Sequence, residues 1–133
     1  MEFKRFVVGG KAQIAQIEPN LEGGKPYAEA TPLLALARHK NLTLKFSTTT
    51  LLAAARGAST SRDWFQRLID TYGADRLMWG SNYPMNHEHP VPGLIDMARR
   101  ELSFLGTSEF DLLMGGNALR LYPALAGSKR PRV

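Results

Sequence analysis

The chain has 133 residues, a net charge of +5, 44% hydrophobic residues and no cysteine. That length holds one domain with a buried core, and the missing cysteine excludes disulfides, thiolate metal sites and cysteine nucleophiles. No apolar run approaches the roughly 18 residues of a membrane helix, no signal-peptide core is present, and the basic residues are scattered or sit in the terminal Lys129, Arg130 and Arg132. Neither a membrane nor a nucleic acid is therefore the expected partner, and a cytoplasmic protein acting on a small molecule is the expectation.

The first predicted strand covers residues 12–17 and ends at Glu18-Pro19-Asn20. A glycine-rich loop follows, from Leu21 to Lys25. A helix is predicted from Thr31, with Thr31 as N-cap and Pro32 at the first helical position, where a missing N–H costs nothing. Leu33, Leu36 and Ala37 give it an apolar face. The second strand is residues 42–46, where Leu42, Leu44 and Phe46 alternate with Thr43 and Lys45. Residues 47–61 are a stretch of small side chains with no element assigned. The next helix runs from about Arg62 to Tyr72, capped by Thr60 or Ser61 and stopped by Gly73. Trp64, Phe65, Leu68, Ile69 and Tyr72 form one apolar stripe on it, predicted to pack on a sheet. The third strand is residues 76–80. A loop rich in proline and histidine leads to a helix over residues 92–105, which Gly106 ends. A short helix over 108–114, then Gly115-Gly116, then a last turn over 117–122 complete the pass. Residues 1–123 read as the domain and 124–133 as a basic, disordered tail.

Strands starting near positions 12, 42 and 76 repeat at the length of a βα unit. Such units build a parallel sheet, either doubly wound or closed into a barrel. No glycine-rich dinucleotide fingerprint and no P-loop follows any strand.

The segment Gly73-Ala74-Asp75-Arg76-Leu77-Met78-Trp79-Gly80-Ser81-Asn82-Tyr83-Pro84 resembles the last barrel strand of the amidohydrolase-related family (amidohydrolase 2), which includes lactonases of aromatic-acid breakdown and certain decarboxylases. Asn41 to Ser47 is similar to the family's penultimate strand, with Asn41, Lys45 and Ser47 at the matching places. Gly116-Asn117-Ala118-Leu119-Arg120-Leu121-Tyr122 is similar to its closing turn. The resemblance covers residues 12–123 and implies an α/β fold, a partial (β/α)8 TIM barrel holding the last three to four βα units. A whole barrel takes about 250 residues.

It also implies a metal-dependent hydrolase, lactonase- or amidase-like, or a decarboxylase, acting on a small carboxylate-bearing substrate. Site residues at the C-terminal strand ends follow. Asn82 stands where the family has an aspartate and is the candidate catalytic residue. An amide can orient a water but cannot act as a base near neutral pH, and Asn82 could instead simply bond its own turn. Lys45, Trp79 and Tyr83 are candidate substrate contacts; a salt bridge is the other reading of Lys45. His87 and His89 could bind a divalent metal, zinc or manganese, or lie in a solvated loop. Glu18 is a further candidate oxygen ligand or an exposed carboxylate. The family's first-strand histidine pair has no counterpart here. The alternative is a catalytically inactive half-barrel remnant or an interaction module, completed by a second copy or a complementing chain.

Overall fold

Four strands make one sheet in the order β1-β2-β3-β4: β1 Lys4–Val8, β2 Ala12–Gln16, β3 Leu42–Ser47 and β4 Leu77–Gly80. The computed structural model describes residues 4–8, 12–16, 20–56 and 58–127. Strands β2, β3 and β4 are parallel, as their spacing predicts. Ile17 and Glu18, expected to end the first strand, lie outside the described residues, as do 128–133 of the expected tail.

The sequence reading assigns no strand before residue 12, yet β1 pairs antiparallel with β2, from Lys4 opposite Gln16 to Val8 opposite Ala12. The signal was there: two short runs separated by Gly9-Gly10-Lys11 read as a hairpin with a three-residue loop. An antiparallel strand at this edge is not an element of an all-parallel barrel.

Helix α1, Thr31–Ala35, links β2 to β3, with tight turns at Ala28–Ala30 and Leu36–Arg38 on either side. Its N-cap is Ala30 rather than Thr31, which moves Thr31 and Pro32 together into the first turn. Helix α2, Thr48–Arg56, occupies the stretch to which no element was assigned. Three successive β-branched threonines lower its intrinsic helicity. Leu51 and Ala54, one turn apart, are nonetheless buried in the core, and packing outweighs propensity.

Helix α3, Ser61–Tyr72, begins and ends where predicted. Thr60 Oγ1 accepts from Asp63 N at 3.1 Å, and Asp63 Oδ2 accepts from Thr60 N at 3.2 Å, a reciprocal capping box. Lys25 Nζ donates to Asp63 Oδ1 at 2.7 Å. The Lys25 bond first, and the Thr60 bonds after it, hold the Asp63 carboxyl down at about 2. A carboxyl with a lowered folded-state pKa adds stability above its unfolded pKa and loses it as pH falls through the folded one. The stabilising effect of Asp63 over Asp63→Asn is therefore expected to be full at pH 5 and to disappear between about pH 4 and pH 2. Thermal melts of both proteins across that range test this; a difference that persists at pH 2 would contradict it.

The α3 stripe packs on the sheet, as predicted. Leu42, Leu44, Phe46 and Leu77 meet Trp64, Phe65, Leu68, Ile69 and Tyr72 in one core. Phe46 and Phe65 stack tilted at 4.8 Å, and Tyr27 meets Trp64 edge-on at 4.9 Å. After β4 come α4, Val91–Glu101, then α5, Thr107–Asp111, and α6, Asn117–Leu121. Helix α4 stops at Glu101, and Leu102 to Leu105 form a turn closed by Leu105 N on Leu102 O at 3.1 Å.

Two buried polar side chains tie these elements together. Arg76 donates to three carbonyl oxygens, those of Tyr72 at 2.8 Å and of Ala37 and His39 at 3.0 Å each. Asn117 donates to Ala74 O at 2.7 Å and Leu77 O at 2.8 Å. Among the described residues no helix is long and apolar enough to cross a membrane.

Candidate functional site

The parallel strands β3 and β4 end side by side, with Ser47 opposite Gly80. Chain direction puts the loops that follow, 48–50 and 81–90, at one end of the sheet. A three-part bridge joins them. Thr49 Oγ1 donates to Asn86 Oδ1 at 3.5 Å, and Asn86 Nδ2 donates to Ser81 O at 3.1 Å. Each strand end is also closed by its own serine. Ser47 Oγ accepts from Thr49 N at 3.2 Å, and Ser81 Oγ accepts from Tyr83 N at 3.2 Å. These are local turns in which a short hydroxyl stands in for a backbone acceptor. Sequence reasoning singled out neither Thr49 nor Asn86. The threonine run beside a strand end was a signal for the first; nothing in the sequence marked the second.

Alternation along β3 sends Leu44 and Phe46 into the core and Lys45 to the other face of the sheet. Lys45 pairs with Met78, yet its stem leans toward the strand ends. A Cβ placed on Gly80 would stand 2.5 Å from Lys45 Cε and 3.4 Å from its Nζ. Two residues of strand are about 7 Å, so the ammonium is carried to the rim where β4 gives way to its loop.

Asn82 sits on that rim with φ 55. Asparagine and aspartate enter this left-handed region more readily than other residues with a side chain. The backbone thus accepts the amide found here as it would the carboxylate of the resembling family. Tyr83 follows at 56% exposure. Trp79 takes the other side of β4. It is in register with Phe46 and packs against the core, with its buried Nε1 unpartnered. The structure therefore brings Lys45, Asn82 and Tyr83 toward one rim and places Trp79 on the helix side of the same strand.

His87 and His89 are exposed on the turn-rich loop before α4, where His89 N bonds Asn86 O at 3.1 Å. Among the described residues no three of His, Asp and Glu gather as a metal-binding group. The donors present, two exposed imidazoles and a neutral amide, do not fit a zinc ion by themselves, since such a site takes three protein ligands or more. Glu18, the other candidate ligand, lies outside the described residues.

A sequence model of a family described as Amidohydrolase matches residues 10–124. No curated protein matches the chain. Among solved structures, an amidohydrolase from Burkholderia multivorans with bound HEPES superposes with a TM-score of 0.59 at 26% identity, over 83% of this chain and 44% of its own. The same Burkholderia multivorans amidohydrolase with bound zinc gives 0.54 at 28%, over 79% and 40%. A protein from Pseudomonas putida, named as a candidate 2-pyrone-4,6-dicarboxylic acid hydrolase, gives 0.53 at 23%, over 75% and 37%. At that identity the last likeness is one of fold. The chain spans less than half the length of each of these structures.

Proposed function

We propose, starting from the fact that this chain belongs to the amidohydrolase family, that it supplies the last three βα units of a (β/α)8 hydrolase barrel. Its task in that barrel is to hold a small carboxylate-bearing substrate at the strand ends, where barrel enzymes place their sites. The observation that supports this best is the lean of Lys45 across Gly80, which carries a cation to the rim shared with Asn82.

In this reading the Lys45 ammonium meets the substrate carboxylate through a charge-assisted hydrogen bond. The exposed Tyr83 ring lies against the body of the substrate. Asn82 donates from its amide or accepts on its carbonyl, and so orients a water or a substrate oxygen without taking up a proton. Trp79, on the helix side, holds the end of β4 in place. The reaction class is hydrolysis of the lactone or amide kind. His87 and His89 are the imidazole pair that the loop offers to a zinc or manganese ion. Because the described residues add no third ligand, no step is drawn through a metal on this chain.

Isophthalate carries two carboxylates on a ring and tests the reading directly. By isothermal titration, Lys45→Met is expected to weaken isophthalate binding about tenfold, the loss of one hydrogen bond to a charged group. Equal affinity in the two proteins would sink the proposal. No binding by the wild type would favour a non-catalytic module, the reading that the antiparallel β1 at the edge of β2 supports.

A further inference from the structure

We propose that Gly80 is a positioning residue for Lys45, its bare Cα leaving the space through which the lysine stem reaches the strand ends. The functional consequence rests on the anion-binding reading above; the geometry does not.

Glycine inside a strand is a weak choice, because it has no side chain to pack and loses more backbone freedom than any other residue. Backbone conformation does not require it at position 80. The positive-φ glycines among the described residues are Gly24 and Gly73. What position 80 does lack is room. A Cβ there would lie 2.5 Å from Lys45 Cε, 3.4 Å from Nζ and 3.7 Å from Cδ. Carbon atoms in contact keep about 3.5–4.0 Å apart, so the Cε approach cannot coexist with any side chain.

Which group would yield is set by stiffness. The obstructing atoms are the far end of a four-carbon chain with several rotatable bonds. The strand backbone, by contrast, is held in register from Leu44 opposite Leu77 to Ser47 opposite Gly80. A methyl group at position 80 would turn Lys45 aside and leave the sheet where it is. Gly80 therefore acts through Lys45 and on the direction of its ammonium. It contributes to affinity without touching a ligand.

The experiment uses the full chain and follows the lysine Hε/Cε signals by NMR, with the Lys45 signal assigned by its loss in Lys45→Met. Gly80→Ala is expected to shift that signal while leaving the urea unfolding midpoint near the wild-type value. It is also expected to weaken isophthalate about tenfold, as Lys45→Met does. The Gly80→Ala/Lys45→Met pair should bind no more weakly than either single variant, because both remove one interaction. A Lys45 signal unmoved by Gly80→Ala overturns the proposal. A shifted signal with isophthalate affinity unchanged in both single variants leaves the positioning role standing and removes the anion-binding reading. If Gly80→Ala does not fold, the Gly80→Ala/Lys45→Ala variant decides. Recovered folding supports the contact, and continued failure overturns it.

Discussion

Arg76→Ala is expected to lower the unfolding free energy by about 4 kcal/mol, a large part of the stability of a domain this size. Arg76 is only 8% exposed, and its guanidinium is a three-way clamp. Nε caps α3 by donating to Tyr72 O at 2.8 Å. Nη1 donates to Ala37 O and His39 O at 3.0 Å, holding the turn that leads into β3. The guanidinium also lies 5.3 Å from the centroid of the Tyr72 ring. Tyr72 is itself fixed, since its hydroxyl donates to Leu33 O at 2.6 Å, and burial pushes that hydroxyl up to about 12. Truncating Arg76 strands three carbonyl oxygens at the junction of α1, α3 and β4. Each buried acceptor left unpaired costs about 1–3 kcal/mol, and water entering the vacated space recovers part of that. Arg76→Lys keeps the charge but not the fork, and should lose roughly half as much. Urea denaturation with an unchanged m-value is the measurement. A loss below about 1 kcal/mol for Arg76→Ala would show that the clamp is not what holds this junction.

Asn117→Asp is expected to be about as damaging at neutral pH, near 4 kcal/mol, although it changes a single atom group. Asn117 is fully buried at 0% exposure, and its Nδ2 donates both to Ala74 O and to Leu77 O. Its Oδ1 accepts from Arg120 Nη2 at 3.3 Å, and the same Nη2 donates to Asp75 O. In this way α6 is stapled to the start of β4 by one amide. An aspartate there sets a carboxylate against two carbonyl oxygens that had donors, with only the Arg120 contact to offset it. Burial disfavours the charged form, so the folded-state pKa of the introduced carboxyl is raised. Its cost is then least at low pH and grows as pH rises through that pKa. Denaturation of Asn117→Asp at two pH values therefore separates charge from shape. A pH-independent loss would mean that packing, and not the hydrogen bonds, dominates.

Both residues belong to the segments that identify the family, and both were legible as pattern before they were legible as physics. Asp75-Arg76 and Gly116-Asn117 stood out by resemblance, among residues expected to lie near chemistry. In the structure Arg76 and Asn117 bond backbone carbonyls at the N-terminal end of β4, away from the rim formed by Ser81, Asn82 and Tyr83. A motif read along the chain mixes such scaffold residues with site residues, because one strand carries both within a few positions. The candidate site divides in the same way. The alternation of Leu44, Lys45 and Phe46 told which side Lys45 would take. The same rule places Trp79 with Leu77 on the helix side, but nothing in the sequence showed that Phe46 would stand opposite it.

The sequence by itself determined the three parallel strands, the capped helix Ser61–Tyr72 and the membership of the family. Each of these is written in contiguous residues: a two-residue alternation, a Thr60/Asp63 box, a motif of twelve positions. Tertiary structure alone decided that β1 lies antiparallel on β2, that the threonine-rich stretch is helical, that Thr49 reaches Asn86, and that Lys45 crosses Gly80. Those features depend on which residues, some thirty positions apart, come to stand side by side. Local periodicity sets the faces of an element. Register and packing between elements set what those faces meet.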